Sequence, residues 1–370
     1  MVARTRAVLF GLVGAVLVVA LVAVVAVAWR AMPSRGSAPP GGSDLAVVML
    51  GGEDRLVTVD LSALRVVSDV RLRSMPTDLS IDTSTGLAVT AQAGGIAEDA
   101  DDVVGVYDVR AGGPVDYVEL GCPNPGLVTA GGGVAYVGHG MLRSGGMVLS
   151  VVDLRRRTVA REGLMPEGPG VPLGFDGTEL WTLEMDPASI EGTTADGPAA
   201  LFVTALDRTT LARRRLGGSR TDVNQVLPAG GGRLLLLSGR PGSGPATVTE
   251  IDASTGTAGR SVTIDSLEHG AIRGCLAGRW LAVSEWDGGD PGDEGTWIAW
   301  LDRDLLSAPR RLRIAGGPCA IAAWGEQLVV IERGTSKLLV IDTSTARVTG
   351  SVDLGGRPPL VADVEVLPAG

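Results

Sequence analysis

The commonest pattern in this chain is an apolar run that ends in Asp, then a turn of small or polar residues, then a run in which apolar and polar positions alternate. Residues 338–356, LLVIDTSTARVTGSVDLGG, show it most clearly. Such a pattern predicts two strands joined by a tight turn. It recurs with its Asp at Asp60, Asp108, Asp153, Asp207, Asp252, Asp302 and Asp342, at successive gaps of 48, 45, 54, 45, 50 and 40 residues. A period near 45 residues fits a propeller built of four-stranded blades.

Upstream of each landmark lies a second pair of short apolar runs around a Gly- or Asp-rich turn, as in PTDLSIDTSTGLAVTAQA, PNPGLVTAGGGVAYVGHG and CAIAAWGEQLVVIE. Each unit therefore reads strand, turn, strand, loop, landmark strand, turn, outer strand. The two ends complete the count. DLAVVML, at residues 44–50, matches a second strand, and the missing first strand is PLVADVEVLP at residues 359–368. The predicted fold is all-β, a seven-bladed β-propeller over residues 44–370 with 3+1 strand closure by the two termini. Closure removes the sheet edges that an open array would expose.

The last repeat, VIDTSTARVTGSVDLGGRPPLVADV, resembles the YVTN family of bacterial β-propeller repeats, whose units run through a similar V-I-D-T-x-T stretch, an outer strand, Gly and Pro. The looser spacings elsewhere resemble the wider superfamily of seven-bladed YVTN, WD40-like and quinoprotein-like propellers. The aromatic YVTN strand itself is replaced here, for example by LAVSEW and LVVIER. The resemblance implies the fold and frequent location in the cell envelope. It implies no single activity.

Ahead of the repeats, residues 7–28 are uncharged. With Trp29 they make 23 residues between Arg6 and Arg30, about 34 Å as a helix and enough to span a bilayer. The expected organisation is a cytoplasmic stub at 1–6, a transmembrane signal-anchor helix at 7–29, and a Pro/Gly/Ser linker at 30–43. The propeller would lie outside the cytoplasm, held at the cell membrane. A signal peptide is the rival reading, since Ala26-Val27-Ala28 offers an A-x-A triplet, although such peptides carry a shorter apolar core. The linker joins the start of a second strand, so the face opposite the blade-to-blade crossings is expected to meet the membrane.

Charge adds a location for function. The formal net charge is −10, without the basic stripe that nucleic acid requires. In each blade, the loop between second and third strands shares a face with the blade-to-blade crossings. Three of these loops are long: AQAGGIAEDADDV in the second blade, EMDPASIEGTTADGPA in the fourth and EWDGGDPGDEGTW in the sixth. They hold thirteen carboxylates, Glu98, Asp99, Asp101, Asp102, Glu184, Asp186, Glu191, Asp196, Glu285, Asp287, Asp290, Asp293 and Glu294, and neither Lys nor Arg. Without them the net charge becomes +3, so the acidity is concentrated. Solvation of long loops accounts for it in one reading. In the other it is a recognition rim for an unknown protein or a cationic ligand. Asp287, Asp290 and Asp293 supply oxygens of the kind Ca²⁺ takes, but not at EF-hand spacing, and no cofactor or metal centre is predicted.

Catalytic signals are weak. His139 and His269, the only histidines, map to loops at the channel mouth together with Cys122 and Cys319. Convergence of either histidine on carboxylates would support the alternative function, a hydrolase, lactonase or lyase. There is no GxSxG elbow, HExxH, P-loop or GxGxxG after a strand. The three cysteines form no CxxC or CxxCH pair, so zinc knuckles, c-type haem and a disulfide framework are not signalled, nor is a quinone-cofactor dehydrogenase. Trp286 and Trp297 flank the sixth-blade loop, where packing competes with sugar stacking as their role. Arg155, Arg156, Arg157, Arg161, Arg208, Arg213, Arg214, Arg215, Arg310, Arg311 and Arg313 fall in outer turns or on outer strands, where charge blocks edge-to-edge pairing.

Overall fold

A computed structural model describes residues 42–370, except 93–101, 123, 140–148, 165–169, 177, 186–200, 208–211, 217–222, 240–243, 266, 268–270, 286–295, 358–360 and 370. The expected helix at 7–29 lies outside these residues. Among the described residues no helix is long and apolar enough to cross a membrane.

Seven four-stranded antiparallel sheets form seven blades. Blade 1 is composite: the C-terminal strand Val361–Leu367 lies innermost, followed by Leu45–Gly51, Arg55–Asp60 and Arg65–Arg71. Blades 2 to 7 follow in chain order, over residues 76–119, 125–164, 170–216, 223–264, 271–314 and 318–353. The 3+1 closure is therefore present, with Leu45 paired to Leu367 and Gly51 to Val361.

Strand composition follows position in the blade. Second strands are buried along most of their length, and along all of it in Leu45–Gly51, Leu87–Gln92 and Trp280–Glu285. Such strands are covered on both faces, so they read as continuous apolar runs. Outer strands such as Arg65–Arg71 and Ala258–Ile264 are mostly exposed or half-buried. The core is divided to match: each of its apolar clusters lies between two neighbouring blades. Ala46, Val48 and Val57 of blade 1 pack on Val329, Ile331 and Val340 of blade 7 at the closing seam. Between blades 3 and 4, Tyr136 meets Phe175 edge-on at 5.2 Å. A Cβ on Gly138 would stand 2.6 Å from the Pro172 ring, so glycine is what admits blade 4 there.

The landmark aspartates have a common task. Each ends the third strand, and in every blade but the fourth, whose turn lies outside the described residues, its carboxylate holds the turn into the outer strand. Oδ1 of Asp108 accepts hydrogen bonds from the N–H groups of Arg110 and Ala111. Asp153 does so for Arg155 and Arg156, Asp252 for Ser254 and Thr255, and Asp342 for Ser344 and Thr345. This is Asx-turn chemistry. Four residues after their Asp, Leu64, Arg157 and Ala346 adopt φ of 49°, 56° and 56°, the left-handed conformation that lets the chain reverse.

Two clasps lock the ring. On the crossing face, Arg55 pairs with Glu53 and Asp69 and donates to the carbonyls of Leu354 and Gly355. Glu53 also accepts the N–H of Arg357, just ahead of the closing strand. On the opposite face, Asp44 accepts hydrogen bonds from Trp324 Nε1 and the Ala369 N–H, and Arg110 donates to the carbonyls of Ser43 and Pro368.

Candidate functional site

The crossing face is built by repetition. At equivalent positions there, the second strands of blades 2 to 7 carry Gln92, His139, Glu184, Ser238, Glu285 and Glu332, each opposite the first residue of its innermost partner strand and each the last residue of its own strand except Glu184, which Met185 follows. These polar ends anchor the loops. Gln92 accepts the Ser74 N–H at 3.2 Å and Glu332 accepts the Gly316 N–H at 3.2 Å, both in crossings from the preceding blade. Glu285 accepts the Trp297 N–H at 3.2 Å. Glu184 takes the hydroxyls of Thr182 and Thr204. A buried acceptor costs free energy unless it is paired, and here backbone N–H groups of crossings and strands and threonine hydroxyls supply the donors.

Two of the thirteen acids, Glu184 and Glu285, are thus strand residues that hold their own blades. Asp102 precedes the strand Val103–Asp108, and its carbonyl accepts the Leu120 N–H. Burial, then Asp102, pushes the nearby Cys122 thiol up. Glu98, Asp99, Asp101, Asp186, Glu191, Asp196, Asp287, Asp290, Asp293, Glu294, Trp286 and His269 lie outside the described residues. Their loops nonetheless start and finish on this face, between Gln92 and Val103, Met185 and Leu201, and Glu285 and Thr296.

His139 is a fully buried strand end, where the sequence suggested a loop. Its Nε2 lies 2.8 Å from Ser150 Oγ on the third strand of the same blade. Beyond a bulge at Gly126 the run VAYVGH stays paired with the innermost strand through His139, opposite Pro125, which extends the strand one residue beyond its apolar part. Cys319 likewise sits within the strand Pro318–Trp324 and is buried between blades 7 and 1. Trp297 has Arg311 over its ring at 4.3 Å, and Arg279 and Arg310 flank Trp280 at 4.5 and 5.4 Å. The outer-strand Arg310 and Arg311 and the turn residue Arg279 stack on indoles as cation–π partners.

The central channel holds a second polar cluster. Arg273, third residue of the innermost strand of blade 6, reaches across to the third residues of two other innermost strands. Its Nη2 lies 2.5 Å from Asp78 Oδ1 in blade 2 and 2.7 Å from Asp363 Oδ2 in blade 1. Both carboxylates are buried, 5% and 2% exposed. Asp78 also accepts the Val128 N–H of blade 3 at 2.8 Å, and Asp363 accepts the N–H groups of Leu79 and Val364. One guanidinium therefore ties four blades through two acids. Glu365 lies two residues further along the closing strand. Cavities of about 440 and 280 Å³ share Gln225, Pro228, Arg273 and Glu365 in their walls, so these side chains divide the channel. Burial works against the charge of Arg273, and Asp363 and Asp78 outweigh it. Burial pushes the Asp363 carboxyl well above the usual range against the pull of Arg273. It lifts Glu365 to about 7, with Arg273 opposing and Asp78 adding. The Cys275 thiol is pushed up by burial and by Glu365, away from the reactive thiolate.

None of these channel residues stood out in the sequence. The available signal was a charge at the third position of innermost strands, TDLSID, IRGCLA and ADVEVL, in a location expected to line the axis. Among the described residues no group of three His, Cys, Asp or Glu side chains is arranged to hold a metal ion.

The architecture defines the chain as a seven-bladed β-propeller. No protein-family model matches it, and no curated protein is detectably similar in sequence. Solved structures are similar in shape. A protein described as a putative 6-phosphogluconolactonase from Bacteroides uniformis superposes with a TM-score of 0.59 at 13% identity, over 87% of this chain and 100% of that one. A second protein so described, from Bacteroides fragilis, gives 0.58 at 13%, over 88% and 98%. Hydrazine synthase of Kuenenia stuttgartiensis gives 0.55 at 14%, over 85% and 99%. At such identities the likeness is one of fold.

Proposed function

We propose that this chain is a binding module: a propeller of the YVTN type, anchored to the membrane by residues 7–29 and lying outside the cytoplasm, which presents its acidic loops to a cationic partner. The observation that carries the reading is the placement of the loop ends. All three acidic loops leave from and return to the crossing face, and they do so in blades 2, 4 and 6, alternate positions around the ring. A rigid scaffold that displays long loops of one charge on one face is suited to electrostatic recognition. The hydrolase alternative draws on the lactonase-like structures of the same fold. It gains little from His139, which is hydrogen-bonded within the blade wall and does not line either channel cavity described above.

Titration of the full-length protein with octalysine, followed by calorimetry at two salt concentrations, tests the reading. Binding that weakens with salt, and that falls several-fold in a variant carrying Asp287→Asn, Asp290→Asn and Asp293→Asn, is the expected result. Octalysine binding that ignores both salt and the three substitutions rejects it.

A further inference from the structure

We propose that the central channel is a binding site for a small organic cation, an ammonium group carried on an apolar body, with Glu365 as its acceptor. The site is distinct from the acidic loops and does not depend on them.

Three features of the channel lead there. First, space: the larger cavity, about 440 Å³, falls in the range of small-molecule pockets. Second, its lining. Leu127, Leu173 and Phe175 give an apolar wall in blades 3 and 4, and the charges lie in blades 6, 2 and 1, at Arg273, Asp78 and Glu365. Third, the pairing of those charges. Arg273 serves both Asp78 and Asp363 through Nη2, and both aspartates also accept backbone N–H groups. Glu365 differs from them: among the described residues it has no hydrogen-bond or ion-pair partner, and it borders both cavities.

The charge balance selects the ligand. Three carboxyls face one guanidinium, so even with Asp363 protonated the charge of Arg273 is already matched by Asp78 and an anion entering the channel gains no net attraction. A hard divalent cation prefers six or more oxygen ligands, and Asp78 and Asp363 are already engaged by Arg273. An alkylammonium has three donors for one carboxylate and a hydrocarbon chain for the apolar wall. The groups facing Glu365 are Arg273 and Cys275 of blade 6 and Asp78 of blade 2, with Asp363 on its own strand. A bound cation favours the ionised form of Glu365, so binding releases a proton. With the Glu365 carboxyl at about 7, the ionised fraction, and the affinity with it, rises about tenfold between pH 6 and pH 8.

Hexylammonium is the probe, titrated calorimetrically into the full-length protein beside hexanol and hexanoate. The expected result is binding of hexylammonium alone, about tenfold tighter at pH 8 than at pH 6, with a proton released in buffers of different ionisation enthalpy. Glu365→Gln, which preserves shape, should weaken it at least tenfold and abolish the pH dependence, while Glu365→Asp should retain part of both. The Asp287→Asn, Asp290→Asn, Asp293→Asn variant should bind hexylammonium as the unaltered protein does, so loss of the loop site leaves the channel site intact. Equal binding of hexanol, unchanged binding in both Glu365 variants, or no heat from hexylammonium at millimolar concentration would each overturn the proposal.

Discussion

Replacing Arg273 by Met keeps the aliphatic stem that crosses the channel and removes the guanidinium. Two buried carboxylates, 5% and 2% exposed, then lose their counter-charge. Breaking a buried pair from one side costs about 3–5 kcal/mol, because the remaining charge stays desolvated. Protonation sets a ceiling on that cost. Neutralising one carboxyl whose unfolded value is about 3.9 takes about 1.36 kcal/mol for each pH unit above it, so about 5 kcal/mol at pH 7.5 and about 2 kcal/mol at pH 5.5. The variant should therefore lose about 3–5 kcal/mol at pH 7.5, no more than about 2 kcal/mol at pH 5.5, and recover most of it when Asp363→Asn is added. Urea unfolding followed by tryptophan fluorescence at the two pH values measures all three. A loss below about 1 kcal/mol at pH 7.5, or the same loss at both, would refute the idea that the guanidinium compensates buried charge.

Two further outcomes follow from the same geometry. Glu365 takes up its proton more readily folded than unfolded, so its contribution is most favourable below about pH 4.5 and is lost as pH rises through about 7; Glu365→Gln should flatten the fall in thermal midpoint between pH 5 and pH 8, while the paired Asp252, held at about 2 by Ser254 and Thr255, loses stabilisation in the opposite direction as pH falls through that value. Arg55→Ala removes four partners from the crossing-face clasp and should cost about 1–3 kcal/mol, with faster amide exchange in Val361–Leu367 than in Leu234 or Leu235 of blade 5.

The fold was legible because its signals are local and repeated. Each landmark Asp announces a turn, which its own carboxylate holds in six of the blades described, and a seven-fold recurrence at near-constant spacing leaves few other architectures. The closing strand was legible because VADVEVL could serve only as the missing innermost strand. The channel cluster was not. Asp78, Arg273 and Asp363 are separated by 195 and 90 residues, and only closure of the ring brings their three strand positions to one axis. Within their own strands they look like ordinary polar alternation. Glu184 and Glu285 misled in the other direction: their carboxylates appear to belong to acidic loops, but strand pairing continues through them, and their oxygens serve Thr204 and the Trp297 amide.

The seam in blade 1 also gives the domain a direction of mechanical weakness. Leu45 and Leu367 face one another at the same end of an antiparallel pair whose hydrogen bonds run across the strands. Tension applied between these two residues falls on one pair at a time and peels the ring open like a zip. Tension between Leu45 and a load on the crossing face runs along the strand Leu45–Gly51, which is bonded on one side to Val361–Leu367 and on the other to Arg55–Asp60. Both rows then resist in shear together. The ring should yield readily to a pull on its two ends and hold firmly against a pull from end to face.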